Sequence, residues 1–367
     1  MTMTGMTAGL NPVFDSGAEV VVCTGSGGVG KTTTAAAIAL EGARRGRRAV
    51  VVTIDPAKRL ADALGLTGLP NRPARIDGAW PGELWAMMLD TKATFDDLVV
   101  AQAADAAQAE RILANRFYRN ISGALSGTQE YMATEKLYDL HQDRAFDLVV
   151  VDTPPSRRAL DFLDAPGRLS RFLDHRLYRF LMAPARGALK AVNVAAQAFL
   201  RTVSKVVGGE VVDDALSFFA AFQGMEDGFR ARAEMVAELL SGHSTAFVLV
   251  ASPRRDTVAE ARFFAERLAR SGIAVQALVV NRVHPRFDAG LAEASRERAR
   301  TFAGTDLGHL YENLADFALV AARETEHVAG LARQVAPAPV VLVPLLRRDI
   351  HDLDGLAEVA RHLFAET

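Results

Sequence analysis

The sequence is short of the features that mark secreted, membrane-spanning and nucleic-acid-binding proteins. Its 367 residues include one cysteine, Cys23, which excludes an internal disulfide or a CxxC metal site and suits a reducing cytosol. No uncharged apolar run reaches the roughly 18 residues that a membrane span needs. The 42 basic and 44 acidic residues give a net charge of −2, which does not favour nucleic acid. These absences predict a cytoplasmic protein with no stable membrane insertion and no nucleic-acid partner.

The first residues also lack targeting features. Residues 1–12 read MTMTGMTAGLNP and contain neither a basic residue nor an apolar core, so we expect no signal peptide there. We expect 1–17 to be a disordered lead-in. The length allows one large α/β domain or two small ones, with ample core at 50% hydrophobic residues. The Pro- and Gly-containing loops at 65–73 and 337–339 are typical of surface connections rather than domain linkers, so we expect 18–367 to form a single domain.

What the chain does contain is a phosphate-binding loop. Residues 20–34 read VVVCTGSGGVGKTTT, and 25–32 fit the pattern G-x-x-x-x-G-K-[ST] between a β-branched run and an alanine-rich run. Glycines let backbone N–H groups surround phosphate oxygens, and the following helix turns its positive end to the same anion. Lys31 is expected to reach the β- and γ-phosphates of a nucleoside triphosphate, and the Thr32 hydroxyl to coordinate Mg²⁺. The nucleotide-binding residues predicted from this loop are Gly27, Gly28, Val29, Gly30, Lys31, Thr32 and Thr33.

Strand-like runs alternate with helical stretches along the chain. These runs are rich in Val, Ile and Leu without polar alternation, which indicates strands buried on both faces of a mostly parallel sheet. The runs are 20–23, 49–54, 84–89, 148–151, 246–251, 277–280 and 340–343. The pattern predicts a doubly wound α/β fold of the P-loop NTPase type, with helices flanking the sheet.

Two helical excursions, at about 91–141 and 168–240, interrupt this alternation. The second carries more apolar residues at helical spacing than a solvent-facing helix requires. They are Leu169, Leu173, Leu177, Leu181, Leu189, Val192, Phe199, Val203, Leu216, Phe218, Phe219 and Phe222. One interpretation is burial of these faces against one another. The other is a groove that accepts an apolar helix of a partner, which would make the excursions a client-binding subdomain.

An aspartate follows each of two predicted strands. Asp55 comes after 49–54 and Asp152 after 148–151, at the sheet edge where α/β proteins usually bind ligands. Asp152 is expected to hold Mg²⁺ through water, as a Walker B acid does, and Asp55 to orient the attacking water. Asp55 and Lys31 are therefore the candidate catalytic residues. Helix capping is the structural alternative for both aspartates.

Taken together, these motifs resemble those of the ArsA/GET-type ATPases, which have a deviant Walker A motif of the SIMIBI type. The family includes bacterial arsenite-pump ATPases and the ATPase that targets tail-anchored membrane proteins, and the similarity covers nearly the whole chain. GSGGVGKTT looks like its phosphate loop, DPAKRLADALG like its first switch, LWAMMLD like the strand before its first helical excursion and DTPPSRRALDFL like its second switch. Asn281-Arg282 and Pro344-Leu345-Leu346 are similar to the elements that cup the adenine, which adds Asn281, Pro344 and Leu345 to the predicted nucleotide site.

The resemblance implies a nucleotide-sandwich dimer that uses ATP and Mg²⁺. ATP closes the subunits, and hydrolysis reopens a composite helical groove for a client such as a tail-anchored or membrane-linked protein. The family's phosphate loop usually reads KGGVGKT, and its first lysine reaches the partner's phosphates, whereas this chain has Ser26 there. We therefore hypothesise a heterodimer with a related ATPase that keeps the lysine, as in paired ArsA-like ATPases of actinobacterial type; a homodimer is the alternative. Arg157 or Arg158 is hypothesised to supply a cation in cis, with a solvated helix start as the structural alternative.

Further absences narrow the role that the resemblance implies. No zinc is expected, because the interface zinc of the eukaryotic targeting factors needs a CxxC. Soft-metalloid binding is not expected without a cysteine trio. Two alternatives stay open: a ParA/MinD-like positioning ATPase, and a regulatory subunit that binds nucleotide with little turnover. Positioning ATPases of the first kind usually have a basic DNA-binding face or a C-terminal amphipathic membrane helix. The C-terminal helix expected here, Leu353–Phe364, is short and only weakly basic. We expect ATP hydrolysis that is slow for the isolated chain.

Overall fold

The computed structural model describes residues 9–55, 59–122, 128–154, 164–165, 167, 171, 208–285 and 290–364. Its centre is an eight-stranded sheet. In chain order the strands are β1 (Val20–Gly25), β2 (Arg48–Thr53), β3 (Ala74–Ile76), β4 (Glu83–Met88), β5 (Leu148–Asp152), β6 (Thr245–Ala251), β7 (Val275–Val283) and β8 (Val340–Pro344).

The order across the sheet is β3-β4-β2-β5-β1-β6-β7-β8. Every neighbouring pair is parallel except β3 with β4, which is antiparallel. The predicted, mostly parallel α/β sheet is therefore confirmed, and each predicted run overlaps one of these strands. The edge strand β3 was not predicted, because three residues are too few to show a periodic pattern.

Helices connect and cover the strands. In chain order, those described are α1 (Asn11–Asp15), α2 (Lys31–Arg44), α3 (Arg59–Ala63), α4 (Thr91–Gln102), α5 (Ala106–Ala114), α6 (Arg116–Ile121), α7 (Thr128–Gln142), α8 (Gly209–Phe222), α9 (Glu226–Ser241), α10 (Arg255–Arg270), α11 (Leu291–Thr301), α12 (Asp306–Val335) and α13 (Leu353–Phe364). None of these described helices is long and apolar enough to cross a membrane.

The chain divides into two compact units. The first comprises Met1–Met88, Asp143–Leu160 and His243–Thr367 and contains the sheet; the second comprises Leu89–Gln142 and Asp161–Gly242. The second unit includes most of both predicted helical excursions, 91–141 and 168–240. Residues of the predicted helical excursions gather into a unit with its own apolar core, because their helices bury their apolar faces within that unit.

The core of the first unit includes both ends of the described chain. Leu10 and Val13, in and beside α1, are buried in it, and the Leu10 N–H donates to the Leu363 carbonyl at 2.7 Å. The prediction of disorder for 1–17 is thus wrong for 10–15, since tertiary structure supplies the apolar partners that the local sequence lacks. In α13 the apolar stripe, which includes Leu356 and Leu363, is buried in the same core.

The core of the second unit explains part of the apolar excess in the excursions. Phe218, Phe219 and Phe222 of α8 are buried with Phe229 and Tyr118 in one cluster. For α8, therefore, the interpretation of mutual burial is confirmed. The other apolar positions singled out in this excursion, from Leu169 to Val203, lie outside the described residues.

Candidate functional site

The phosphate loop joins the central strand β1 to α2 at the carboxyl edge of the sheet. The turn ends at Gly30, which has φ +96° and precedes the first helical residue, Lys31. A side chain on Gly30 would collide with the Asn281 amide, so both the left-handed backbone and the close approach require glycine there. The loop therefore has the strand–turn–helix context that phosphate binding needs.

Lys31 lies folded onto its own loop. Its Nζ donates a 2.8 Å hydrogen bond to the Ser26 carbonyl, and the side chain is largely buried. Burial lowers the pKa of the Lys31 ammonium, and the nearby Arg59 charge adds to this, whereas Asp152 and Asp55 oppose it. A desolvated ammonium held at the mouth of an amide-lined loop is well placed to pair with a phosphate.

Asp152 lies beneath the start of α2 and accepts two hydroxyl hydrogen bonds. Its Oδ2 receives Thr32 Oγ1 at 2.7 Å and Thr53 Oγ1 at 2.9 Å. Thr53 reaches it because β2 and β5 are parallel neighbours with Thr53 opposite Asp152 in register. The carboxylate is 1% exposed, and its Oδ1 has no hydrogen-bond partner among the residues that the structure describes. Burial raises the pKa of Asp152 to about 6, although both threonines and Lys31 stabilise its charged form.

The Asp152 and Thr32 oxygens suit a magnesium ion. Mg²⁺ prefers hard oxygen ligands and is commonly held by one or two protein groups together with phosphate and water. The buried, unpartnered Oδ1 of Asp152 and the Thr32 hydroxyl are such groups. No cluster of three or more His, Cys, Asp or Glu side chains occurs in the described part of the chain, so the remaining ligands would come from phosphate and water. The predicted pair thus fits the ion.

Asp55 lies at the end of β2, beside this cluster. Its N–H donates to Thr53 Oγ1 at 3.2 Å, and its Oδ2 is 3.7 Å from Arg59 Nη1. The Thr53 hydroxyl therefore donates to the Asp152 carboxylate and accepts from the Asp55 backbone N–H. Sequence reasoning missed Thr53, because its role depends on strand register, and missed Arg59, which no pattern in a single sequence distinguishes from its basic neighbours.

A pocket of about 420 Å³ opens above the phosphate loop. The predicted site residues that line it are Gly28, Gly30, Lys31, Thr32, Thr33, Asp55, Asn281, Pro344 and Leu345. Among the other predicted residues, Val29 and Asp152 are buried behind the wall, and Gly27 is exposed on the loop. The structure thus brings the phosphate-side and adenine-side predictions to one cavity. Arg59, Arg348 and His351 also line it and were not predicted as site residues, and so does Arg282, which the sequence placed beside Asn281 in an adenine-cupping element.

The sequence raised two points about charge at the site, a cation supplied in cis and the absence of the family's first lysine. Arg157 and Arg158, hypothesised to act as cations in cis, lie outside the described residues. Ser26, which stands at the position of the family's lysine, is 3% exposed, and its Oγ has no hydrogen-bond partner in the described structure. It offers no charge to a second subunit.

Comparisons with known proteins identify the family to which the chain is similar. The profile of the Anion-transporting ATPase family, of the ArsA type, matches residues 18–333. An uncharacterized protein of Streptomyces coelicolor is 34% identical over 268 residues, which are 73% of this chain and 63% of that protein. An ATPase ASNA1 homolog of Cryptosporidium parvum is 28% identical over 260 residues, 71% of this chain and 63% of its own. An ATPase GET3 of Malassezia globosa is 29% identical over 153 residues, 42% and 44% of the two chains. The matched part therefore spans less than two thirds of each of these relatives.

Proposed function

The chain belongs to the ArsA-type anion-transporting ATPase family, and from that premise we propose that it hydrolyses ATP to ADP and phosphate at the pocket above Lys31. The observation that carries the proposal is the Thr32–Asp152–Thr53 cluster directly below the phosphate loop. The buried carboxylate has an unpartnered oxygen and accepts a hydrogen bond from the Thr32 hydroxyl, which lies next to the amide-lined anion site. This arrangement suits a nucleotide that binds together with its metal ion.

Each residue of the site has a distinct task in this proposal. The amides of the loop and the Lys31 ammonium bind the β- and γ-phosphates. Thr32 and Asp152 would hold Mg²⁺, which neutralises charge on those phosphates when it is bound. Asp55 accepts a hydrogen bond from the attacking water. The water oxygen bonds to the γ-phosphorus while the bond between that phosphorus and the β–γ bridging oxygen breaks, so ADP leaves with the bonding electron pair and the water proton passes to a phosphate oxygen. Asn281, Pro344 and Leu345 contact the adenine.

A second subunit is part of the proposal. Ser26 has no charge with which to reach a partner's phosphates, so a related ATPase that carries a lysine at this position would complement the chain. The proposed assembly is thus a heterodimer, with a homodimer as the competing arrangement. Its ATP-driven closing and opening would act on a client with an apolar segment, such as a tail-anchored or membrane-linked protein, through the helical unit.

Two other functions receive less support from the described residues. A ParA/MinD-like positioning ATPase of the membrane-bound kind needs an amphipathic helix whose apolar face is available, and the stripe of α13 is buried in its own core. A regulatory subunit with little turnover is favoured by one observation, the uncharged Ser26. Turnover measurements separate this reading from the proposed ATPase.

The experiment combines phosphate release with light scattering. The chain is assayed alone and with a lysine-containing relative, each with and without MgATP. Turnover that rises at least tenfold in the mixture, together with an ATP-dependent heterodimer mass, would support the proposal. Full turnover by a homodimer would contradict the proposed heterodimer but would still support the proposed ATPase activity. Nucleotide binding without turnover in either sample would favour the regulatory subunit.

A further inference from the structure

Two consecutive residues at the end of β7 hold the phosphate loop from outside. Asn281 Nδ2 donates to the Val29 carbonyl at 2.9 Å, and Arg282 Nη1 donates to the Gly28 carbonyl at 3.3 Å. Both acceptors are in the turn that precedes α2. The loop is therefore attached to β7, a strand that β6 separates from β1 in the sheet.

These two hydrogen bonds bear on the direction of the loop amides. The carbonyl and the N–H of a trans peptide point in opposite directions. When the carbonyls of Gly28 and Val29 point to Arg282 and Asn281, the N–H groups of Val29 and Gly30 point away from them. That is the inner side of the loop, on which successive amides bind phosphate oxygens.

The backbone at Arg282 is unusual for an arginine. Its φ is +61°, a left-handed conformation that glycine adopts more readily, and the ladder between β7 and β8 shifts register between Asn281 and Val283. The Arg282 N–H donates to Asn281 Oδ1 at 2.9 Å, so the Asn281 amide is bonded at both ends. A glycine would fit this bulge with less strain. An arginine there indicates that the side chain contributes something that glycine lacks.

We infer that Arg282 is a positioning residue for the phosphate-binding amides: its guanidinium holds the Gly28 carbonyl outward and thereby aims the Val29 N–H at the polyphosphate. The inference rests on the proposed nucleotide binding of this loop. It assigns Arg282 to the phosphates rather than to the adenine, although its neighbour Asn281 lies on the adenine side. The Leu345 N–H, which donates to the Val283 carbonyl at 3.0 Å, continues the same bulge towards the adenine side.

Four substitutions separate positioning from charge and from backbone strain. Arg282→Asn tolerates the left-handed backbone but does not reach Gly28. Arg282→Lys keeps a charged donor on a long side chain. Arg348→Asn removes the same charge from the wall of the pocket, and Arg347→Asn removes it just outside the pocket.

The first measurement is hydrogen exchange of the free protein in the peptide spanning 26–31, which needs no nucleotide. Faster exchange there in Arg282→Asn, but not in Arg348→Asn or Arg347→Asn, is expected, and Arg282→Lys should restore much of the protection. Unchanged exchange in Arg282→Asn would overturn the positioning role. Thermal melts of the variants identify any loss of folding.

The second measurement is calorimetric binding of Mg²⁺ with inorganic tripolyphosphate and with a non-hydrolysable ATP analogue. Arg282→Asn should weaken both ligands by the same factor, roughly three- to tenfold for one lost charge-assisted hydrogen bond. Weaker binding of the ATP analogue alone would place Arg282 on the adenine and overturn the inference. If Arg348→Asn weakens binding by the same factor, the loss of one positive charge explains the effect of Arg282→Asn, and the inference would again be overturned. A wild-type chain that binds neither ligand would instead overturn the proposed nucleotide site.

Discussion

The Thr32 hydroxyl lies 2.7 Å from Oδ2 of Asp152, while the other carboxylate oxygen, Oδ1, is buried without a partner in the described structure. These two residues are 120 positions apart in the chain. They meet because β1 and β5 are parallel neighbours that end together at the carboxyl edge of the sheet. A buried, unpartnered carboxylate oxygen is costly, so it indicates a group that the site is built to receive.

Replacing Asp152 by asparagine should abolish magnesium-dependent turnover. The amide removes the negative charge that the ion needs, so we expect ATP hydrolysis to fall by about a hundredfold or more. The matched control is Asp147→Asn, at the opposite end of the same strand, which breaks an exposed ion pair with Arg48. Phosphate release at saturating MgATP checks both variants. Wild-type turnover in Asp152→Asn would contradict the assigned role.

Stability of the metal-free protein should depend on pH through Asp152. The pKa of this carboxyl is about 6 in the fold, against 3.8 for an ordinary aspartate, because burial disfavours the charge. The folded state therefore binds the proton more tightly, and the free energy of unfolding falls as pH rises from about 4 to about 6, by about 3 kcal/mol at most. Above that range the contribution is constant.

The Asp152→Asn variant provides the check on this pH dependence. Since it has no proton to lose, its stability relative to the wild type should increase between pH 4 and pH 6 and then level off. Thermal melts in metal-free buffer across this range measure the difference. A difference that does not vary with pH would show that Asp152 is not protonated in this way. The apparent affinity for Mg²⁺ should decrease as the pH is lowered past about 6, because protonation of Asp152 competes with binding of the metal.

Asp55→Asn should separate nucleotide binding from hydrolysis. Asp55 is assigned to the water rather than to the ion, so we expect kcat to fall by about a hundredfold, with affinity for a non-hydrolysable ATP analogue changed by less than about threefold. Asp62→Asn removes another carboxylate from the same pocket and should lower kcat much less. A loss of affinity as large as the loss of kcat would assign Asp55 to binding instead.

In the helical unit, Arg232→Met should destabilise the fold through a buried partner. Arg232 Nε lies 2.7 Å from Oε2 of Glu135, whose side chain is 1% exposed, and Arg232 also pairs with Asp139. Burial raises the pKa of Glu135, whereas hydrogen bonds from the Tyr131 hydroxyl and from Arg232, together with the Arg232 charge, favour its ionised form. Removing one member of such a pair costs about 3 kcal/mol.

The control for this prediction is Arg230→Met, in the same helix. Arg230 pairs with Asp227, whose side chain is 96% exposed, so the loss of this ion pair should cost less than about 0.5 kcal/mol. The double variant Arg232→Met with Glu135→Leu should recover part of the stability, because no buried charge remains unpaired. Urea unfolding measures all three. Equal effects of Arg232→Met and Arg230→Met would show that burial does not govern the pair.

Much of the site could be predicted because its chemistry is local. The phosphate loop, the two aspartates and the adenine-side residues each lie at or just after the carboxyl end of a strand, and parallel strands deliver such residues to one edge. Thr53, and the contact of Arg282 with the phosphate loop, could not be found in this way. Thr53 matters only because the register of β2 against β5 places it opposite Asp152, and Arg282 because a bulge turns its side chain onto Gly28.

The sequence by itself determined the mostly parallel sheet, the phosphate loop and the family, because continuous Val, Ile and Leu runs and the G-x-x-x-x-G-K-[ST] spacing are properties of neighbouring residues. Only the tertiary structure decided that 10–15 joins the core, that the stripe of α13 is buried, and that the helical excursions form a compact unit of their own. In each case the deciding contacts join residues far apart in the chain. Whether an apolar face is covered depends on what the fold brings to it, which the face's own sequence does not contain.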